Sequence, residues 1–172
     1  PTVHDLLRHT AGLTYEFLGS SAVQRQYEAV QIADRSRSNA EFCKVLAALP
    51  LAHQPGSIWE YSRATDVLGA LLEVVSGQPL GAMLAQRILD PLGMKSSTAQ
   101  WPTPPDLSTR ESVGYIHTDG AFQAFPRLIS QVDLFPAGII RASVTDMARF
   151  MIAHLQDGRY SDASIPEARI LE

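Results

Sequence analysis

The sequence predicts an α+β chain that is mostly helical and carries one small antiparallel hairpin. Apolar residues recur at helical spacing in several windows, as in Phe42, Val45, Leu46 and Leu49, which fall at i, i+3, i+4 and i+7. Most of these windows open on a capping residue and close on Gly or Pro. Only one place offers two strand-like runs across a tight turn: residues 113–118 and 121–125 flank Asp119-Gly120.

In chain order, Thr2-x-x-Asp5 reads as a capping box opening a short helix through Leu6 and Leu7, with Gly12 as its stop. Residues 14–38 are polar and irregular and are expected to form a long surface loop. Asn39 is expected to cap the Phe42–Leu49 helix, which Pro50 ends. Residues 50–60 read as extended chain with a Pro55-Gly56 turn. Ser62 then caps a helix carrying Val67, Leu68, Leu71, Leu72 and Val75 as core residues and stopping at Gly77. Pro79 suits the first turn of another helix, with Leu80, Met83, Leu84, Ile88 and Leu89 facing inward and Pro91 closing it. Residues 101–110, with three prolines, are expected to be loop. Ser143-Val144-Thr145-Asp146 opens the last helix, through Met151 and Leu155, and Gly158 ends it.

The composition excludes several functions. With 45% hydrophobic and 19% charged residues, the 172-residue chain has the make-up of an ordinary globular domain. Fourteen basic against 18 acidic side chains leave a net charge of −4, with no basic stripe for nucleic acid. No apolar run approaches the roughly 20 residues that span a bilayer; residues 67–75 are interrupted by Glu73. A lone Cys43 rules out an internal disulfide, and its place on an apolar helix reads as a small, partly buried side chain. Pro1 and the abrupt end at Glu172 are expected to mark a segment of a longer protein.

Several catalytic signatures are missing. There is no Gly-x-Ser-x-Gly elbow, no Gly-x-x-x-x-Gly-Lys loop and no Gly-x-Gly-x-x-Gly run. The histidines at 4, 9, 53, 117 and 154 show no His-Glu-x-x-His spacing, so no metal site is expected.

Five ordered blocks carry a family likeness. They are Thr2-Val3-His4-Asp5-Leu6-Leu7-Arg8-His9-Thr10-Ala11-Gly12-Leu13, Gln54-Pro55-Gly56-Ser57-Ile58-Trp59-Glu60-Tyr61-Ser62, Asp66-Val67-Leu68-Gly69-Ala70-Leu71-Leu72 running on to Pro79-Leu80, Asp90-Pro91-Leu92-Gly93-Met94, and Pro136-Ala137-Gly138 through Asp146-Met147-Ala148-Arg149-Phe150. Together they resemble the serine hydrolases related to class C β-lactamases and D-alanyl-D-alanine carboxypeptidases, and most of all their carboxylesterase branch.

That resemblance implies a division of labour. A Ser-x-x-Lys motif supplies the nucleophile and a lysine, a tyrosine of a Tyr-x-Asn motif shares the base role, and a Lys-Thr-Gly strand edges the site. Only the tyrosine transfers, to Tyr61. The two lysines, Lys44 and Lys95, have Glu41 and Leu92 three positions before them, so no Ser-x-x-Lys exists here. His9-Thr10-Ala11 and His117-Thr118-Asp119 both fail as Lys-Thr-Gly. Family order would put the nucleophile before Pro1 and the last strand motif after Glu172.

A tyrosine, with an ordinary pKa near 10, is a poor base at neutral pH unless a lysine ammonium within ~4–6 Å favours the phenolate. Tyr61 just ahead of a Ser62-capped helix would also feel the helix dipole. Considered without the resemblance, Tyr61 is a core-edge ring with a hydrogen-bonded hydroxyl.

Two positions depart from the family. Arg63 stands where the family's asparagine holds the amide of β-lactam and peptide substrates, which favours the esterase branch. It is expected to be a solvated helix-start arginine, or else to face substrate. Gly138-Ile139 replaces a Gly-Gly, where a β-branched residue cannot cheaply take a positive φ. Trp59 and Phe135 are expected either to line an apolar acyl pocket or to pack in the core.

The expectation is therefore a mostly helical fragment, residues 1–172, of the β-lactamase/transpeptidase-like fold, lacking the nucleophile segment and the C-terminal strands and inactive alone. The intact enzyme would cleave small-molecule carboxylic esters or related acyl bonds, amides included, through an acyl-serine, without metal or organic cofactor. A β-lactamase or D-alanyl-D-alanine carboxypeptidase is one alternative. A non-catalytic β-lactamase-like binding module is the other.

Overall fold

The computed structural model describes residues 1–34, 36–100, 102–125 and 136–165. The chain divides into two compact units, 1–77 with 131–138, and 78–130 with 139–172.

In the first unit, helix α1 (Val3–Leu7) opens on the predicted capping box, the Thr2 side chain accepting from the Asp5 N–H while the Asp5 carboxylate accepts from the Thr2 N–H. It ends before Gly12, at Arg8, and the next residue, His9, takes the left-handed turn with φ 54°. Gly12 has another duty. At φ 77° its ideal Cβ would stand 2.1 Å from the His53 carbonyl oxygen, so only glycine lets these two backbones meet.

The loop expected over residues 14–38 is corrected. A 3₁₀ turn at Glu16–Leu18 is followed by α2 (Ala22–Ala29), whose capping box pairs Ser21 with Gln24. Val23, Tyr27 and Val30 fall at i, i+4 and i+7, and Tyr27 is fully buried. One large ring and a good cap are enough to fold a segment whose composition is polar.

Helix α3 (Asn39–Ala47) is capped by Ser38 rather than by Asn39. Helix α4 (Ala64–Ser76) starts after Arg63 with no side-chain cap, so Ser62 is not its cap, and it ends as expected on Gly77 at φ 66°. The core joins Leu6, Ala11, Leu13, Tyr27, Ile32, Phe42, Leu46 and Ala64, with Val45, Leu49, Val67 and Leu68 packed against it. The stripe expected along α4 is corrected at its far end: Leu72 and Val75 are exposed, and Ala64, Gly69 and Ala70 are the buried small residues. A Pro136–Gly138 3₁₀ turn packs on α4, and the Ala137 N–H donates to Asp66 Oδ1 at 3.2 Å. Among the described residues neither Gly138 nor Ile139 has a positive φ, so isoleucine sits there without strain.

In the second unit, α5 (Leu80–Leu84) runs into a π-helical turn, Ala85–Leu89, marked by the Asp90 N–H bonding to the Ala85 carbonyl at 2.9 Å. The predicted loop after residue 101 contains one helical turn, α6 (Pro105–Ser108). Strands β1 (Gly114–Thr118) and β2 (Ala121–Phe125) pair antiparallel in the register Thr118↔Ala121 to Gly114↔Phe125. Asp119 and Gly120, at φ 53° and 78°, form the two left-handed positions that a type I′ turn requires. Helix α7 (Val144–Leu155) is capped by Ser143 as expected, and β3 (Arg159–Tyr160) and β4 (Ala163–Ser164) form a short antiparallel pair. Leu89, Leu92, Met94, Ala153 and Ile165 make this unit's core. No single helix among the described residues is long and apolar enough to cross a membrane.

Candidate active site

Two stretches that read separately in sequence lie side by side in the first unit. The Ala52 N–H donates to the Gly12 carbonyl at 2.8 Å, the Gly56 N–H to Thr10 at 2.8 Å, and the Glu60 N–H to His9 at 2.9 Å. A bond between His53 Nε2 and the Glu60 carboxylate, 2.7 Å, closes the loop between them. This pairing presents Trp59, Tyr61 and His9 together.

Tyr61 is half exposed, at 49%. Its ring centroid lies 5.0 Å from that of His9 and 5.1 Å from that of Tyr15. Tyr15 stacks in turn on Phe17, 4.8 Å away, and Phe17 is 67% exposed. Trp59, 66% exposed and edge-on to His9 at 6.3 Å, does not pack in the core. Phe135 lies outside the described residues.

Arg63 corrects an expectation. It is not a solvated helix-start side chain: it is 5% exposed. Its guanidinium pairs with the Glu16 carboxylate and with Asp66 Oδ2, the latter at 3.4 Å, and its Cζ lies 4.7 Å from the Tyr15 ring centroid. The side chain therefore faces inward, behind Tyr15, where two carboxylates balance its charge. Burial raises the Asp66 carboxyl above the ordinary value against the pull of the Ala137 N–H and Arg63. Burial likewise pushes the Tyr15 hydroxyl far above the ordinary tyrosine value, helped by the Asp66 charge and by Tyr61 and opposed by Arg63. Tyr15 is therefore a neutral phenol at the back of Tyr61.

Ser62, fully buried, turns its side chain to His9 instead of to α4: its Oγ and its backbone N–H both lie 3.3 Å from His9 Nδ1. Sequence reasoning missed His9, Tyr15, Glu16 and Asp66. The Ser21-x-x-Gln24 box was the one local signal that the segment around Tyr15 was ordered; nothing local marks the other contacts. Cys43 is partly buried, and burial raises its thiol, which leaves it a poor nucleophile. Among the described residues no group of His, Cys, Asp and Glu could hold a metal ion.

A family model described as beta-lactamase matches residues 1–171. The chain belongs to the β-lactamase family. The likeness read from the five blocks is thereby borne out, as is the α+β fold. Within the family, an esterase, EstB of Burkholderia gladioli, is 43% identical over 99 residues, 55% of this chain and 24% of the relative. A solved simvastatin synthase from Aspergillus terreus superposes with a TM-score of 0.74 at 27% identity, over 98% of this chain and 39% of that one. A D-amino acid amidase from Ochrobactrum anthropi superposes with a TM-score of 0.62 at 26% identity, over 90% of this chain and 42% of that one. The chain spans about a quarter of the length of the curated relatives it matches.

Proposed function

We propose that this chain supplies the tyrosine side of a serine hydrolase acting on small carboxylic esters. The observation that carries the proposal is the placement of Tyr61: half exposed, at the centre of an aromatic surface, with its ring set between His9 and Tyr15. With the residue half exposed, one face of this ring borders solvent, where a substrate can approach it. Esterase relatives in the same family support ester chemistry.

In this mechanism the serine and lysine come from residues outside these 172. With the lysine ammonium nearby, the Tyr61 phenolate takes the serine proton as the serine oxygen bonds to the acyl carbon. It returns that proton to the leaving alkoxide as the carbon–oxygen bond breaks. Water then attacks the acyl-serine by the reverse route. Trp59, edge-on to His9, and Phe17, stacked on Tyr15, are both largely exposed and offer apolar surface to the acyl or alcohol portion. No step calls for a metal or an organic cofactor.

The inward Arg63 bears on substrate class. Its guanidinium is taken up by Glu16 and Asp66, so this position does not present a side-chain amide to a substrate amide. That favours esters over β-lactams and peptides.

The test is Tyr61→Phe in the full-length gene product, assayed on a short-chain aryl ester. General acid–base catalysis contributes typically about 10²–10⁴-fold, so kcat should fall by that order with little change in KM. Full retention of activity would overturn the assignment. A chromogenic cephalosporin hydrolysed as fast as the ester would move the reading to a β-lactamase. An active-site serine missing from the full-length product would leave a binding module.

A further inference from the structure

We infer that His9 is a positioning residue that holds Tyr61 in place through the backbone on both sides of it; the inference rests on the reading of Tyr61 as the base. The His9 carbonyl accepts from the Glu60 N–H at 2.9 Å, fixing the residue before Tyr61. His9 Nδ1 accepts from the Ser62 N–H at 3.3 Å, fixing the residue after it. The imidazole itself lies against the Tyr61 ring, 5.0 Å between centroids. One side chain and its own carbonyl thus define where residues 60 to 62 run, and with them the direction in which the phenol points.

The local backbone shows why a histidine stands there. The His9 N–H bonds to the Leu6 carbonyl at 3.2 Å and the Thr10 N–H to the Asp5 carbonyl at 2.8 Å, the pair of bonds of a Schellman ending. In that motif the left-handed residue, here His9 at φ 54°, is usually glycine, because a Cβ there crowds the neighbouring carbonyl oxygen. Helix termination alone does not call for an imidazole. The ring answers a second demand, the N–H of the fully buried Ser62, which would otherwise lack an acceptor.

The geometry also defines the tautomer. A backbone N–H can only donate, so Nδ1 bears no proton and the neutral ring carries its hydrogen on Nε2. Ser62 Oγ lies at the same 3.3 Å from Nδ1. Nε2 remains on the side of the ring away from Ser62.

Two substitutions separate the backbone from the ring. His9→Gly keeps the left-handed turn and removes the acceptor. His9→Asn tolerates the turn and places an oxygen where Nδ1 stands. In the full-length gene product, assayed on a short-chain aryl ester alongside Tyr61→Phe, H9G should lower kcat by about tenfold to a hundredfold with KM little changed, the effect of a misaligned base. H9N should recover most of that loss. H9G with wild-type kcat beside an inactive Y61F would overturn this inference alone, as would H9N no better than H9G. An active Y61F would remove the base assignment and this inference with it. If H9G does not fold, ring-nitrogen NMR of the wild-type protein decides instead: a proton on Nε2 supports the arrangement and a proton on Nδ1 overturns it.

Discussion

Arg63 is a charged side chain held almost wholly inside the first unit. Its guanidinium stands between Glu16 and Asp66 and over the Tyr15 ring, and Tyr15 backs Tyr61. Removing it would leave Asp66, which has no exposed surface, as a buried carboxylate beside a second one. Breaking a buried pair in this way costs about 3–5 kcal/mol. Arg63→Ala should therefore lower the unfolding free energy of the protein by that order in denaturant titrations; a loss below about 1 kcal/mol, the scale of an exposed pair, would show that the cluster is solvated after all. The sequence offered no sign of this burial. An arginine at the start of a helix is ordinarily solvated, and the carboxylates that bury this one come from three residues along the helix and from a segment 47 positions away.

Among the elements, the capping boxes explain why short helices form in polar sequence. Thr2 with Asp5, Ser21 with Gln24, and Ser38 with Glu41 each satisfy two orphan N–H groups. The first was legible in the sequence. The second was hidden in a segment rich in polar residues, and the third was displaced by one position because Asn39 is itself a good cap residue. Ser38→Ala should cost about 1 kcal/mol of stability. The side-chain and backbone bonds from Ser38 hold the Glu41 carboxyl below its ordinary value of 4.5. Its folded pKa is thus below the unfolded one, so the stabilisation is complete above that ordinary value and is lost as the pH falls through the folded value. Glu41→Ala should accordingly weaken the protein at about pH 7 and do so less at about pH 3. Urea titrations at the two pH values check this; an unchanged difference would contradict the depressed pKa.

For the whole molecule, the proposed role of Tyr61 as base requires a serine and a lysine to be brought to it. Neither Lys44 nor Lys95 follows a serine by three positions. A preparation of these 172 residues should hydrolyse no aryl ester and take up no fluorophosphonate label, whereas the full-length gene product should do both. Stoichiometric labelling of the 172 residues would mean that one of their own serines is the nucleophile. What the sequence by itself determined is whatever depends on near neighbours: helices announced by periodicity and caps, a hairpin announced by Asp119-Gly120, and a family likeness carried in five contiguous blocks. Tertiary structure alone decided which side chains meet. His9 and Ser62 are 53 positions apart, and Asp66 and Ala137 71 positions apart. Helical and strand periods describe which face a residue occupies and say nothing about what that face is laid against, because the partner is chosen by packing of the whole core. Arg63 thus turns inward, Leu72 and Val75 stay exposed, and a histidine assigned no role in the sequence comes to lie against the tyrosine.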